Sequence, residues 1–275
     1  MRTMQKIKLQ HYVPRFYLRN FSKLLDKNYI IQCFDKEKNK QFETIIENVG
    51  CEKFFYDSKG DTIQSVEKNL AKLEGMFNNS ILNLIKLKDL SKLPINEKFM
   101  LSLFIAIQFL RSKERREGIK DMINQLLKRL SKESLSPLLK RELEDVKKEE
   151  SIKELHIRLL KEAPEFANII LQMKWILIIN KTKTPFWTSD NQIYWHNEIN
   201  HWPYGSLGLT KSGIELHLPL TPNLLIVCCD PISFANEPSK KVLRDFRYVI
   251  RELSYQVYSS TRFIFSNKSE FQFAH

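Results

Sequence analysis

Only seven glycines are spread through the 275 residues, and neither the full G-x-G-x-x-G pattern nor the Walker G-x-x-x-x-G-K-[ST] pattern occurs. Neither a dinucleotide fingerprint nor a glycine-rich cradle for phosphates is therefore on offer. Cysteine is equally sparse: Cys33, Cys51, Cys228 and Cys229 make no C-x-x-C pair, which sets aside a zinc ribbon and a disulfide framework and fits a reducing, cytoplasmic setting. Cys228 and Cys229 should point to opposite faces of a strand. No H-E-x-x-H occurs, and His156, His196, His201 and His217 show no other metal-ligand spacing; no metal and no cofactor is expected from them. The opening Met1 to Gln10 lacks an apolar h-region. The longest apolar stretch, Met100 to Leu110, is interrupted by Ser102 and Gln108 and is too short for a bilayer about 30 Å thick. The chain reads as soluble, not exported, and without a membrane partner.

What is plentiful is apolar and basic. Hydrophobic residues make up 43% of the chain, with 18 Phe, enough for one extended core. A single domain over 1–275 is expected, with an N-terminal hairpin region (1–64), a helical region (65–172) and a β-rich region (173–275). The formal net charge is +12, which favours an anionic partner, nucleic acid first among them. Over half of it sits in the first 40 residues, where ten basic residues face three acidic ones, a balance of +7. Lysines that merely solvate a surface produce the same composition.

The pattern of apolar residues gives the elements. Tyr29 to Phe34 and Gln41 to Ile46 flank a polar turn and predict a β-hairpin. From Ser65 the period becomes helical, with Val66, Leu70, Leu73, Phe77, Ile81, Leu84 and Ile85 on one stripe. A second helix, Ile95 to Ser112, is apolar nearly all round and should run through the core. A charged third helix follows to Leu130, a fourth starts at Ser136-Pro137 and a fifth at Ala163-Pro164-Glu165. Strands are predicted at Trp175 to Asn180, Thr184 to Thr188, Ile214 to Leu218 and Leu224 to Cys229, with turns at Pro203, Pro219, Pro222 and Pro231. A helix from Ser239 to Tyr258 and a last strand at Arg262 to Phe265 close the chain. The fold class is α+β, a central helical layer between a small N-terminal hairpin region and a C-terminal, mostly antiparallel sheet with one helix.

Four blocks carry a resemblance: His11-Tyr12-Val13-Pro14-Arg15-Phe16-Tyr17-Leu18-Arg19-Asn20-Phe21, Gln108-x-x-Arg111, Trp187-Thr188-Ser189-Asp190-Asn191 and Leu218-Pro219-Leu220-Thr221-Pro222. In that order they resemble the hallmark blocks of a microbial domain of unknown function, number 4238 in its series. The resemblance spans most of the chain and implies that His11, Gln108, Arg111, Ser189 and Asp190 belong to one recurrent constellation, without assigning them a chemistry. Where that pattern leads one to expect proline, this chain has Lys113 and Gln192.

The residues themselves suggest one. His11 can exchange a proton near neutral pH, and a helical turn after Pro14 would set Arg15 and Arg19 on one face. Tyr12, Phe16, Tyr17 and Phe21 either stack on unpaired bases or belong to the core. A guanidinium at Arg111, closing an apolar helix, needs an opposite charge: a structural acid such as Asp190 or Glu74, or a phosphate. Gln108 shares its face at i and i+3, and Arg115 should extend that row by another turn. Ser189, Asp190 and Asn191 suit a turn, and Asp190 is also a candidate acid.

Together these features point to a metal-independent nuclease of RNA or single-stranded nucleic acid, of the kind that serves as a toxin or defence effector. His11 would be the general base or acid, Asp190 its orienting or partner acid, Arg111 and Arg15 the stabilisers of phosphate charge, and Gln108 the group that orients the reacting oxygen. Arg19, Tyr12, Arg115, Ser189 and Asn191 complete the expected substrate-binding set. A non-enzymatic nucleic-acid or nucleotide-binding module, and a hydrolase of a nucleotide such as NAD, are the alternatives. A homo-oligomer is compatible with all three.

Overall fold

The computed structural model describes residues 6–61, 63–130, 136–197, 199 and 207–272. His201, the Pro203 turn and the first five residues, Arg2 among them, lie outside the described residues. The fold is α+β. The N-terminal part holds β1 (Leu9–His11), α1 (Arg15–Leu18), β2 (Lys23–Leu25), β3 (Asn28–Asp35), β4 (Lys40–Ile45) and β5 (Cys51–Lys53). Helices follow: α2 (Ser65–Leu87), α3 (Ile95–Arg111), α4 (Lys113–Leu130), α5 (Pro137–Val146), α6 (Glu149–Leu159) and α7 (Ala163–Gln172). The C-terminal part holds β6 (Lys174–Asn180), β7 (Thr188–Ser189), β8 (Tyr194–Asn197), β9 (Ile214–Thr221), β10 (Leu224–Cys229), β11 (Lys240–Leu243), α8 (Phe246–Ser259) and β12 (Phe263–Ser266). No described helix is long and apolar enough to cross a membrane.

A five-stranded sheet in the order β11-β6-β10-β9-β8 forms the middle of the molecule, antiparallel except where β11 joins β6. Successive residues of a strand face opposite sides, and here both sides are buried. Trp175, Leu177, Ile179, Ile226 and Cys228 pack with α2, α3, α7 and the N-terminal aromatic block, whereas Ile176, Ile178, Val227 and Cys229 pack with Val249 and Leu253 of α8 and with Trp187 and Phe271. The two adjacent cysteines do face opposite cores, and all four cysteines are free thiols.

The predicted hairpin is present, with Cys33 opposite Phe42, but it does not stand apart. Its inner strand, β3, pairs with β12, and β12 pairs with β7. The two ends of the chain therefore share one sheet, a long-range pairing with no local signature.

Three further expectations are corrected. Thr184 to Thr188 is not a strand: only Thr188 and Ser189 pair, because Asn180 turns the chain by donating to the Thr184 carbonyl at 2.7 Å, and Pro185 has no N–H to give a ladder. The helix predicted from Ser239 starts at Phe246, where Asp245 caps it by accepting the Arg247 N–H at 2.9 Å. Residues 240–243 ahead of it are an edge strand. The fourth helix, expected from Ser136, is divided at Lys147 and Lys148 into α5 and α6, and strand β8 had no counterpart in the expected elements.

Candidate active site

Strand β1 pairs with β5, setting His11 opposite Cys51. The Tyr12 and Val13 N–H groups then converge on the Gly50 carbonyl at 2.9 and 3.0 Å. Gly50 has φ +63, and a Cβ there would lie 2.6 Å from the Val13 Cβ, so only glycine fits this crossing. Pro14 turns the chain into α1, whose Tyr17 and Leu18 N–H groups bond the Pro14 carbonyl. The α-turn ends at Leu18 and tightens into a 3-10 turn, Arg19–Phe21, which leaves Arg15 and Arg19 both exposed. Arg19 lies over the Tyr29 ring at 5.1 Å. Tyr12, Phe16, Tyr17 and Phe21 are buried in the core and offer no face to a base, a correction to the stacking expectation.

His11 opens onto a cleft of about 460 Å³ whose other wall is one face of α2: Glu67, Leu70, Ala71 and Glu74, at i, i+3, i+4 and i+7. Ile7, Leu9, Arg15 and Glu47 complete it. Burial, then the charges of Arg15 and Arg111, lower the His11 pKa to about 4, against the pull of Glu47. The imidazole is thus neutral near pH 7, and its Nε2 is buried without a hydrogen-bond partner. Across the cleft, burial raises the Glu67 carboxyl to about 7, with Arg111 and Arg15 opposing and Glu74 reinforcing the rise. A neutral imidazole and a carboxyl group still about half protonated at pH 7 therefore share one cleft, with a guanidinium at its rim.

Arg111 closes α3 beneath this cleft, 1% exposed. Both of its terminal nitrogens reach the same Glu74 oxygen at 3.3 Å, and its Nε donates to Gln108 Oε1 at 3.2 Å. The opposite charge that the sequence demanded is Glu74. Gln108 is itself buried, with Nε2 unmatched, and its contact with the cleft runs through Arg111.

Asp190 does not orient His11. Its carboxylate accepts the backbone N–H groups of Thr261, Arg262 and Phe263 at 2.8, 2.7 and 2.9 Å and fastens β7 to β12. Burial raises its pKa while those three bonds oppose the rise. Ser189 and Asn191 are turn formers: the Ser189 hydroxyl donates to the Asn191 carbonyl at 2.6 Å and accepts the Asn191 N–H at 3.1 Å. Asn191 also donates to the Ser259 carbonyl.

Arg115 leaves the Arg111 row. The helix breaks at Ser112, whose hydroxyl accepts the Arg115 N–H at 3.3 Å and so starts α4 afresh. Arg115 instead lies 3.8 Å over the Phe109 ring and 5.2 Å over Trp195, at a second cleft. His156 is a structural latch, not a site residue: its Nδ1 faces Arg116 Nε at 3.3 Å and its Nε2 the Leu110 carbonyl at 2.9 Å. Burial and then Arg116 lower it to about 4, which fixes a neutral ring that donates from Nε2. His217 is the opposite case. Although burial disfavours its charge, Glu252 and Glu215 raise it to about 9. Among the described residues, no three His, Cys, Asp or Glu side chains gather as a metal-binding set.

The four sequence blocks meet. The Tyr17 hydroxyl donates to the Pro219 carbonyl at 2.5 Å and lies 2.8 Å from Thr188 Oγ1, joining the first, third and fourth, while Gln192, the residue after the third block, brings its Nε2 to Gln108 Oε1 at 3.4 Å and so reaches the second. A family model described as "Protein of unknown function (DUF4238)" matches residues 9–270. The chain belongs to that family. No curated protein and no solved structure matches it. Both departures from the proline expected of DUF4238 proteins are accommodated locally. Lys113 is the first residue of α4, where an N–H has no intrahelical partner in any case, and its ammonium pairs with Glu52 on β5 at 2.5 Å. Gln192 accepts from Gln256 Nε2 at 2.9 Å through its carbonyl, so side chains hold that turn.

Glu67 and Glu47 were missed from the sequence. Glu67 and Glu74 stand seven apart, two turns on one face, around Leu70 and Ala71, a visible spacing that only β1 turns into a cleft wall.

Proposed function

We propose that this protein cleaves phosphodiester bonds in RNA or single-stranded nucleic acid by acid–base catalysis in the His11 cleft, with no resident metal. The observation that carries the reading is the pairing of a neutral imidazole whose buried Nε2 lacks a partner with a carboxyl raised to about 7. An unmatched buried acceptor costs about 1–3 kcal/mol, and a rotation of the imidazole that turns Nε2 to the cleft lets a substrate hydroxyl satisfy it.

The attacking oxygen, a 2′-hydroxyl in RNA or a water, gives its proton to His11 Nε2 as it bonds to phosphorus. The scissile phosphorus–oxygen bond breaks, and Glu67 delivers its proton to the departing oxygen. Arg15, exposed at the rim, offsets charge on the non-bridging oxygens. Arg111 is a positioning residue that holds Glu74 and tunes His11 and Glu67, and Gln108 holds Arg111. The free thiols suit action in the cytoplasm, in a toxin or defence role.

A non-enzymatic binding module is the second reading, supported by the Asp190 carboxylate bonding backbone N–H groups rather than His11. Incubation with labelled RNA and single-stranded DNA, with and without chelator, separates the two. Chelator-resistant cleavage abolished by His11→Ala is expected. Binding without turnover would replace the first reading by the second.

A further inference from the structure

The second cleft, about 570 Å³, lies between the start of α4 and the region of Trp195, Tyr255 and Tyr258, and falls within the size range of small-molecule sites. Its walls are unusual in two respects. Aromatic surface is left facing the opening, with Tyr258 91% exposed at the rim, although a tyrosine ring is stabilised by cover. Donors are also left unmatched. Arg115 is ion-paired with Glu114, Nε to Oε2 at 3.4 Å, but too far out of line for a hydrogen bond, and its buried Nε and the buried Trp195 indole N–H both lack a hydrogen-bond partner.

Arg115 cannot retire into solvent. Its guanidinium is stacked on Phe109 at 3.8 Å and on Trp195 at 5.2 Å, while its side chain is 33% exposed. A cation fixed in this way presents one flat face and its N–H edge to whatever enters. Helix α4 begins at Lys113, so its N-terminal turn adds positive potential beside that edge. Glu114 supplies one acceptor, and the Asn191 and Ser259 side chains add polar groups on the far side.

Flat apolar faces, a fixed planar cation and a surplus of donors call for a ligand that is flat, anionic and rich in acceptors. We infer that this cleft binds a nucleoside monophosphate, its base stacked between Tyr258 and the Trp195/Arg115 wall and its phosphate at Arg115 and the start of α4. The inference does not rest on the catalytic reading: a monophosphate has no diester to cleave, and His11 lines the other cleft.

Titration calorimetry of the full chain with adenosine 5′-monophosphate tests it, with adenosine, ribose 5-phosphate and inorganic phosphate as parallel probes. The monophosphate is expected to bind at least about 10-fold tighter than adenosine or ribose 5-phosphate, since a stacked base and a charge-assisted phosphate contact each contribute at least that factor. Tyr258→Ala, at a position too exposed to disturb folding, and Arg115→Gln are each expected to weaken it about 10-fold. Absence of binding up to about 1 mM, equal binding of adenosine and the monophosphate, or an affinity unchanged by Tyr258→Ala would overturn the inference. Should Arg115→Gln fail to fold, Tyr258→Ala and the probe series decide alone.

Discussion

Arg111 turns both terminal nitrogens of a fully buried guanidinium onto one oxygen of Glu74, each at 3.3 Å. The pair ties the end of α3 to the face of α2 that lines the His11 cleft. Removing one partner of a buried pair leaves an uncompensated charge, which is worse than removing both. Glu74→Leu should therefore cost about 2–4 kcal/mol of stability, and the Arg111→Leu, Glu74→Leu double variant should recover part of it. Urea denaturation of the four proteins measures this; strictly additive losses would show that the two side chains are not coupled.

Asp190 is expected to matter for folding rather than for proton transfer, because all its visible bonds are to the backbone of 261–263. Asp190→Asn keeps one acceptor, loses the charge and turns a donor toward backbone donors. A loss of about 2–3 kcal/mol is expected, read as a Tm lower by roughly 5–10 °C, with the pH profile of any cleavage unchanged. A pH limb that vanished with Asp190 while Tm held would return it to the site.

Gly50→Ala would strain a positive φ and press its methyl group on the Val13 side chain. The expected cost is about 2–3 kcal/mol. Since that crossing places His11, His11 Nε2 should also lose its position, which histidine-selective NMR would register as a pKa moving up from about 4 toward 6.5. An unshifted resonance in the folded variant would mean that the crossing does not set the site.

Stability should peak near pH 6.5. His11 and His156 have folded pKa values of about 4, below 6.5, so the unfolded chain binds more protons between those limits and stability falls as pH drops through them. For His156 this is on the order of 3 kcal/mol. Glu67, raised to about 7, opposes one of them, because its protonated folded form loses stability as pH rises from about 4.5 to 7. His217, raised to about 9, contributes stability that is full below 6.5 and lost as pH climbs toward 9. Thermal melts from pH 4 to 9 check the curve. An optimum at pH 4 or at pH 9 would contradict these assignments.

Much of the fold was written in local pattern. The stripe from Val66 to Ile85 and the all-round apolar run after Ile95 gave α2 and α3, and the apolar run from Leu224 to Cys229 gave a strand buried on both faces. What escaped depends on distant partners. The β3–β12 ladder joins residues some 230 positions apart, and β11 is a strand only because β6 is beside it. The site divides in the same way. His11, Arg111 and Gln108 stood out as polar groups in apolar or aromatic settings; Arg111 and Gln108 bond each other and the Arg111 charge reaches His11, whereas Glu67 looked like any surface glutamate until β1 covered it. Asp190 misled because an acid that satisfies backbone N–H groups and an acid that moves protons look alike in one dimension.

The most direct test of the cleft is the pH dependence of kcat/KM for cleavage of a labelled RNA by the wild-type protein, by His11→Ala and by Glu67→Gln. A bell with an acid limb near pH 4 and an alkaline limb near pH 7 is expected. His11→Ala and Glu67→Gln should each lower the rate about 10²–10⁴-fold, with the alkaline limb absent from Glu67→Gln. A folded His11→Ala protein that cleaves as fast as wild type, or an alkaline limb that survives Glu67→Gln, would contradict the account.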